Sequence, residues 1–137
     1  MTKGQHTPTV SEQLKAAYAL IGAGKDKSKW TQHSYARSIN DNGDDNECPA
    51  LSEYAVCFCS FGALERATGL AMGISDTPPL IQALAERIMA AANTLSLVSF
   101  NDMNDYLTVC AAWERAIAAA EADEAKRIAK VGGLSYG

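Results

Sequence analysis

The spacing of apolar residues along this 137-residue chain predicts a mainly helical fold. Near the N-terminus, apolar residues recur every three or four positions and predict a helix with one buried face: Leu14, Ala17, Tyr18 and Ile21. Thr9 and Glu12 have the spacing of a capping box, in which each residue satisfies the backbone N–H of the other. The first helix is therefore predicted over residues 10–23.

A second apolar stretch predicts the most buried helix of the fold. Ser52 is a good N-cap for a helix over residues 53–68, in which only Glu65 and Arg66 are charged after the first position. A helix that is apolar on every side is usually an interior one, so we place it at the centre. Gly62 within it predicts the close approach of a neighbouring backbone.

Two more helices and a small ribbon complete the predicted fold. A proline-containing start signal predicts a helix over residues 76–93, and a long apolar stripe predicts a last helix over 105–130 that ends at Gly132-Gly133. Residues 95–100 alternate apolar and polar side chains, which favours a strand paired with the segment near Trp30. The expected architecture is about four helices around the central apolar helix, with a two-stranded β ribbon.

Composition supports this picture and limits the function classes. The length predicts a single domain over residues 1–137, with a flexible arm at 1–8 and a loose tail at 131–137. About two dozen alanines reinforce the helical prediction. The net charge of −4 and the pI of about 5.1 disfavour nucleic-acid binding, because the basic residues form one short cluster: Lys25, Lys27 and Lys29.

The compartment expected from the sequence is the cytoplasm, or the host cytoplasm if the chain is phage-encoded. The N-terminal residues have no apolar signal-peptide core, and the longest near-apolar run, 16–23, is far shorter than the roughly 20 residues of a membrane span. Four cysteines are too few for a secreted disulfide scaffold of this size. We therefore expect no membrane association.

The cysteines do not have the spacing of a metal site. Cys57 and Cys59 are two residues apart and would not face each other on a helix. A zinc site would need one of them to converge with Cys48, Cys110 and His33, and no ligand motif links these positions. We expect no metal and no cofactor, and we interpret the cysteines as buried apolar residues.

Cys59 is nevertheless the weak catalytic candidate of the chain. His33 is a sensible general base for it, with Gln32 or Asn101 as an oxyanion donor. Against this, Cys59 falls inside the predicted helix, away from an N-terminus whose dipole would favour a thiolate. An enzymatic function is therefore the less favoured interpretation.

Several short motifs together resemble a domain-of-unknown-function family of small bacterial, actinobacterial and phage proteins. The similarity covers about residues 10–117 and rests on four segments: Trp30-Thr31-Gln32, Cys59-Ser60-Phe61-Gly62-Ala63-Leu64, Asn101-Asp102 and Arg115-Ala116-Ile117. His33 departs from the family pattern, which has glycine there. The resemblance supports the architecture, brings no activity, and implies that five residues gather in space: Trp30, Gln32, Cys59, Asn101 and Asp102.

This cluster has two interpretations, a binding site or a structural knot in which Gln32 and Asn101 satisfy buried backbone groups. Trp113 is expected in the core, whereas Trp30 could be core or an interaction anchor. Our leading hypothesis is a non-enzymatic binding or regulatory protein that docks on a host or self protein, with homo-oligomerisation left open. The alternative is a small enzyme or ligand-binding protein with a pocket around Cys59.

Overall fold

The computed structural model describes residues 7–39, 45–71 and 76–135. Within these ranges the chain is mainly helical, with a small antiparallel sheet. The elements, in chain order, are α1 (Val10–Leu20), a 3-10 turn (Lys27–Lys29), β1 (Ala36–Ile39), β2 (Asp45–Cys48), β3 (Cys57–Phe58), α2 (Ser60–Thr68), α3 (Pro79–Ala92), α4 (Leu97–Met103) and α5 (Tyr106–Ser135). No helix in the described part of the chain is long and apolar enough to cross a membrane.

The first helix confirms the pattern that predicted it. The capping box is formed: the Thr9 hydroxyl accepts from the Glu12 N–H, and the Glu12 carboxylate accepts from the Thr9 N–H at 2.8 Å. The helix ends at Leu20 rather than Ala23, because the chain turns there through glycines with positive φ, +94° at Gly22 and +77° at Gly24.

The segment that begins at Trp30 contributes to a sheet, as predicted, because it contains β1 and Trp30 bridges to Phe58, but its partners are not the predicted residues 95–100. The strand order of the sheet is β2-β1-β3, with Ala36 of β1 opposite Cys48 on one side and opposite Phe58 on the other. Residues 95–100, predicted as a strand, lie mostly in α4. The Ser96 hydroxyl accepts from the Ser99 N–H at 3.2 Å and caps that helix, which buries two residues four positions apart, Leu97 and Asn101.

The central helix is shorter than predicted. It begins at Ser60, Cys59 is its N-cap, and Ser52 lies in the loop that precedes β3. The backbone of this region pairs with β1 instead of continuing the helix, as when the Val56 N–H donates to the Arg37 carbonyl at 2.9 Å. Gly69 ends the helix in the left-handed conformation, as expected.

Gly62 provides the close approach that the sequence predicted. A Cβ atom at this position would lie 1.8 Å from the carbonyl oxygen of Tyr35, which is backbone and has little room to move. The glycine therefore lets α2 pack directly against the segment leading into β1. This contact sets the distance between the helices and the sheet.

The core lies between α1, α2, α3 and α5. Helix α2, predicted as the central helix, contacts α1, α3 and α4, whereas α3 contacts α1, α2, α4 and α5. Among the described residues, α5 contributes the largest fully buried side chain, Trp113. Helix α3 starts at Pro79 and ends at Ala92, close to the prediction. Helix α5 continues past Gly132-Gly133 to Ser135, because glycine weakens a helix without removing its N–H donor.

Candidate functional site

Asn101 is the centre of a buried hydrogen-bond network at the end of α4. Its side chain is fully buried. The Oδ1 atom accepts from Trp30 Nε1 at 2.8 Å, from the Ser60 N–H at 3.0 Å and from the Ser60 hydroxyl at 2.9 Å. The Nδ2 atom donates to the Thr31 carbonyl at 3.0 Å and to Asp102 Oδ1 at 3.1 Å. This combination of acceptor and donor requires an amide side chain.

The network extends to the second tryptophan. Trp113 Nε1 donates to the Ser60 hydroxyl at 3.1 Å, so Ser60 links the core of α5 to Asn101. Trp30 is half-buried and packs against Tyr106 with 5.5 Å between ring centroids. Both tryptophans thus have a partner for their N–H, and Trp30 belongs to the packed structure rather than to an exposed surface.

Gln32 closes the C-terminal end of α4. Its Nε2 atom lies within hydrogen-bond distance of the carbonyls of Asn101, Asp102 and Asn104, at 3.0, 3.1 and 2.9 Å. The last carbonyls of a helix have no partner inside the helix, and a side-chain donor is one way to satisfy them. Gln32 therefore holds the loop after β-bridge residue Trp30 against α4.

Trp30, Gln32 and Asn101 together form the structural knot. The resemblance implied that they gather, and their hydrogen bonds show that they do. Among the described residues, no buried side-chain nitrogen or oxygen lacks a hydrogen-bond partner. These three residues do not line the large cavity described below.

Asp102 is the residue that leads from this network to the surface. Its Oδ1 atom accepts from the His33 backbone N–H at 2.9 Å as well as from Asn101. Its Oδ2 atom lies 3.7 Å from His33 Nδ1. The Asp102 side chain is 18% exposed and that of His33 is 71% exposed. His33 and Asp102 thus connect the buried network to an open, concave face of the protein.

That face is a cavity of about 770 Å³ between the sheet, the start of α2 and α4. Its volume is within the range of sites for small organic ligands. Two of its polar lining residues are buried, Cys59 at 4% and Glu65 at 7% exposure, whereas the His33 side chain is 71% exposed. The other described lining residues are Ser34, Tyr35, Glu47, Cys48, Pro49, Ala50, Leu51, Ala71, Val98 and Asp102.

Cys59 occupies a different place from the one predicted. It is the N-cap of α2 and not an interior helical residue, and its sulfur accepts from the Gly62 N–H at 3.3 Å. A helix N-terminus favours a thiolate. Burial acts in the other direction and is the larger effect, so the pKa of the Cys59 thiol is raised to about 11. The thiol is protonated at neutral pH.

The other cysteines are not paired in disulfides; Cys57 and Cys110 are buried and Cys48 is half-buried. Burial raises the pKa of Cys110 as well. Within the described ranges, no group of three or more His, Cys, Asp or Glu side chains is placed to hold a metal ion.

The model of a family of unknown function, DUF6197, matches residues 5–120. The chain belongs to this family. Comparison with curated proteins and with solved structures gives no match. The DUF6197 match contains the whole Asn101 network and every described residue of the cavity, and it ends inside α5.

Sequence reasoning missed three residues of this DUF6197 site. Ser60 was named only as part of a motif, although its hydroxyl links Asn101 to Trp113 by hydrogen bonds. Glu65 carried a usable signal, because a charged residue on an otherwise apolar helix is rarely buried without a role. Val98 gave no signal, since its segment was predicted as a strand and it now lines the cavity from α4.

Proposed function

We propose that this protein binds a small organic ligand in the cavity above Cys59 and Glu65. The observation that carries this proposal is the cavity itself, about 770 Å³ in volume, whose lining includes buried residues such as Cys59 and exposed ones such as His33. A concave lining with a few polar groups among apolar ones is typical of ligand sites.

Binding is favoured over catalysis at this site. A nucleophilic Cys59 would need a lowered pKa, and burial raises it to about 11. At neutral pH only about one molecule in ten thousand would carry the thiolate. Of the two proposed oxyanion donors, Gln32 and Asn101 both direct their amide N–H groups to backbone carbonyls or to Asp102. The DUF6197 cavity is therefore better suited to hold a ligand than to attack one.

A fragment screen tests this proposal directly. Ligand-observed NMR against a library of neutral, anionic and cationic fragments of about 10–15 heavy atoms should yield hits with sub-millimolar affinity. Val98→Phe adds a ring to the α4 wall of the cavity and should abolish most of these hits. Leu95→Phe is the matched control, since Leu95 is 97% exposed, does not line the cavity and lies three residues away.

The contrast between the two variants decides the outcome. Hits lost in Val98→Phe and retained in Leu95→Phe support ligand binding in the cavity. Hits that survive both substitutions, or a library without hits, would overturn it. Circular dichroism of both variants ensures that a loss of binding is not a loss of fold.

A protein partner is the second proposed function, because apolar side chains are exposed beside the sheet. Tyr54 is 69% exposed, Val56 is 50% exposed, and Val56 is hydrogen-bonded to β1, which also carries the exposed Ile39. Single exposed apolar residues are common, whereas a group of them marks a contact surface. A bacterial-lysate pull-down should then recover a stoichiometric partner, or light scattering a homo-oligomer, that Tyr54→Ser removes. A monomer without a partner would contradict it.

We further infer a reducing compartment, the cytoplasm or the host cytoplasm of a phage-encoded protein. The support is that the fold pairs none of the four cysteines in a disulfide. Cell fractionation with a thiol-labelling reagent would show a reduced protein in the cytoplasmic fraction. Recovery of an oxidised protein from an extracytoplasmic fraction would contradict this inference.

A further inference from the structure

We propose that the ligand of this cavity is a compact organic cation, a protonated amine or amidine on an apolar body. This inference rests on the ligand-binding function proposed above and adds the chemical class of the ligand. It is carried by the distribution of charged, polar and apolar side chains over a concave surface whose volume already suits a small molecule.

The charged lining is of one sign. Three acidic side chains line the cavity, Glu47, Glu65 and Asp102, and the described lining contains no lysine and no arginine. The one basic lining residue, His33, stands at the exposed rim beside Asp102. Concave surfaces lined by one sign of charge concentrate ligands of the opposite sign, and low-dielectric walls strengthen the effect. An anionic ligand would face three acidic groups.

The acidic lining residues differ in exposure. Glu65 is 7% exposed, whereas Glu47 is exposed on β2 and accepts from the Ser34 hydroxyl at 2.9 Å. The Asp102 side chain lies between them, at 18%. A ligand in the cavity therefore meets acidic residues in both the buried and the exposed part of the lining.

Asp102 is held in place before any ligand arrives. Two N–H donors, from the His33 backbone and the Asn101 side chain, fix its Oδ1 atom at 2.9 and 3.1 Å. A carboxylate whose orientation is fixed by the fold loses little conformational entropy when it binds a cation. The buried Asn101 network thus pre-organises one wall of the cavity.

The remaining wall is apolar and calls for an apolar body on the cation. It consists of Tyr35, Pro49, Ala50, Leu51, Ala71 and Val98. The ring of Tyr35 is available for contact with a cation or an aryl group, and burial of apolar ligand area is favourable. A bare metal ion is disfavoured, since the described residues place no three ligating side chains together.

Isothermal titration with three matched ligands tests the charge of the ligand. The ligands are phenethylamine, 2-phenylethanol and phenylacetate, which share an aryl body and differ in their polar end. The amine should bind at least ten-fold more tightly than the alcohol, and phenylacetate should not bind measurably. Glu47→Gln should weaken amine binding about three- to ten-fold and leave alcohol binding unchanged, whereas Glu53→Gln, an exposed glutamate outside the cavity, should change neither.

The outcomes separate this inference from the proposed function. A preference for the amine over the alcohol that becomes smaller in the Glu47→Gln variant supports a cationic ligand. If the alcohol binds as tightly as the amine, or phenylacetate binds more tightly, the inference of a cationic ligand is contradicted. The proposal that the cavity binds a ligand would still stand. If none of the three ligands and no fragment of the earlier screen binds, both proposals fail. Glu65→Gln provides a second variant, with retained alcohol binding as its measure of an intact cavity.

Discussion

Two adjoining regions of this protein use polar side chains in opposite ways. In the network around Asn101, every described polar atom that is buried has its partner inside the protein, and two tryptophans cover it. In the adjoining cavity, which Asp102 lines, polar groups border an open volume of about 770 Å³. The hydrogen-bonding groups of the first region are used inside the fold, and those of the second region also border an open volume.

The comparison explains why a motif that looks like a site can divide into two parts. Hydrogen bonds join Trp30, Gln32 and Asn101 inside the fold, and their binding role stays a prediction. Asp102 and Cys59, from the same motifs, line the cavity. Asp102 belongs to both regions, so the closed network supports the open one.

The largest effect is expected from removing the centre of the network. Asn101→Ala leaves the Trp30 N–H and the Ser60 N–H and hydroxyl without their acceptor in a buried site, and should lower the free energy of unfolding by about 3–5 kcal/mol. Urea denaturation measures this loss. Asn104→Ala is the matched control, because its amide donates one bond at the partly buried end of α4 and should cost about 1 kcal/mol. An equal loss of stability in both variants would show that the buried network contributes no more than the single bond at the end of α4.

The next largest loss of stability is expected where the Asn101 network and the cavity meet. Gly62→Ala would bring a methyl group against the Tyr35 carbonyl, 1.8 Å away, and should destabilise the fold by about 2–4 kcal/mol while displacing the Tyr35 wall of the cavity. Gly69→Ala has open space around its Cβ and should cost about 1 kcal/mol, because φ at that position is +73°. Thermal denaturation of the two variants gives the ordering. A stable Gly62→Ala protein would show that α2 and β1 pack less closely than the structure indicates.

A smaller effect is expected in the wall of the cavity. Leu51 is 40% exposed, so Leu51→Ala should cost less than about 1 kcal/mol and yet weaken ligand binding, because the lost contacts are with the ligand. Leu14→Ala makes the same change at a fully buried position and should cost about 3 kcal/mol without a direct effect on the site. Parallel urea and binding titrations separate the two responses. A Leu51→Ala loss as large as that of Leu14→Ala would mean that this wall is core.

The smallest effect lies outside both regions, at a partly buried contact between α1 and α5. Glu124 accepts from the Ser11 hydroxyl at 2.6 Å and from its N–H at 3.0 Å, and these bonds lower the pKa of the carboxyl. Because the folded pKa lies below the unfolded one, the stabilisation is present above the unfolded value and is lost as the pH falls through the folded one. The melting-temperature difference between wild type and Glu124→Gln should therefore shrink below about pH 4.5. A difference that grows on acidification would contradict the shift.

The sequence predicted the local parts of this fold well and its long-range pairing poorly. The capping box at Thr9, the close approach at Gly62 and the buried Trp113 all follow from residues within one turn of a helix or from a single apolar stripe. The strand pairing did not, because β1 pairs with residues 6 to 22 positions away through backbone bonds that side-chain patterns do not encode.

The same limit applies to the site. Proximity of Gln32, Asn101 and Asp102 was suggested by the motifs, but which polar atom satisfies which partner depends on α4 being a helix, and its alternating pattern favoured a strand. The predicted position of Cys59 was wrong for the same reason: pairing of Cys57 with Arg37 moves the start of the helix to Ser60 and makes Cys59 its N-cap. The cavity exists only after these tertiary contacts form, so no local pattern predicts it.

Backbone and indole chemical shifts recorded during a phenethylamine titration test the central claim most directly. The claim is that the Asn101 network stabilises the fold and that the adjoining cavity binds the ligand. We predict saturable shifts of the Tyr35, Cys59 and Val98 amides, with the Trp30 and Trp113 indole N–H signals nearly unchanged. Shifts confined to the two indoles, with silent cavity amides, would contradict the account.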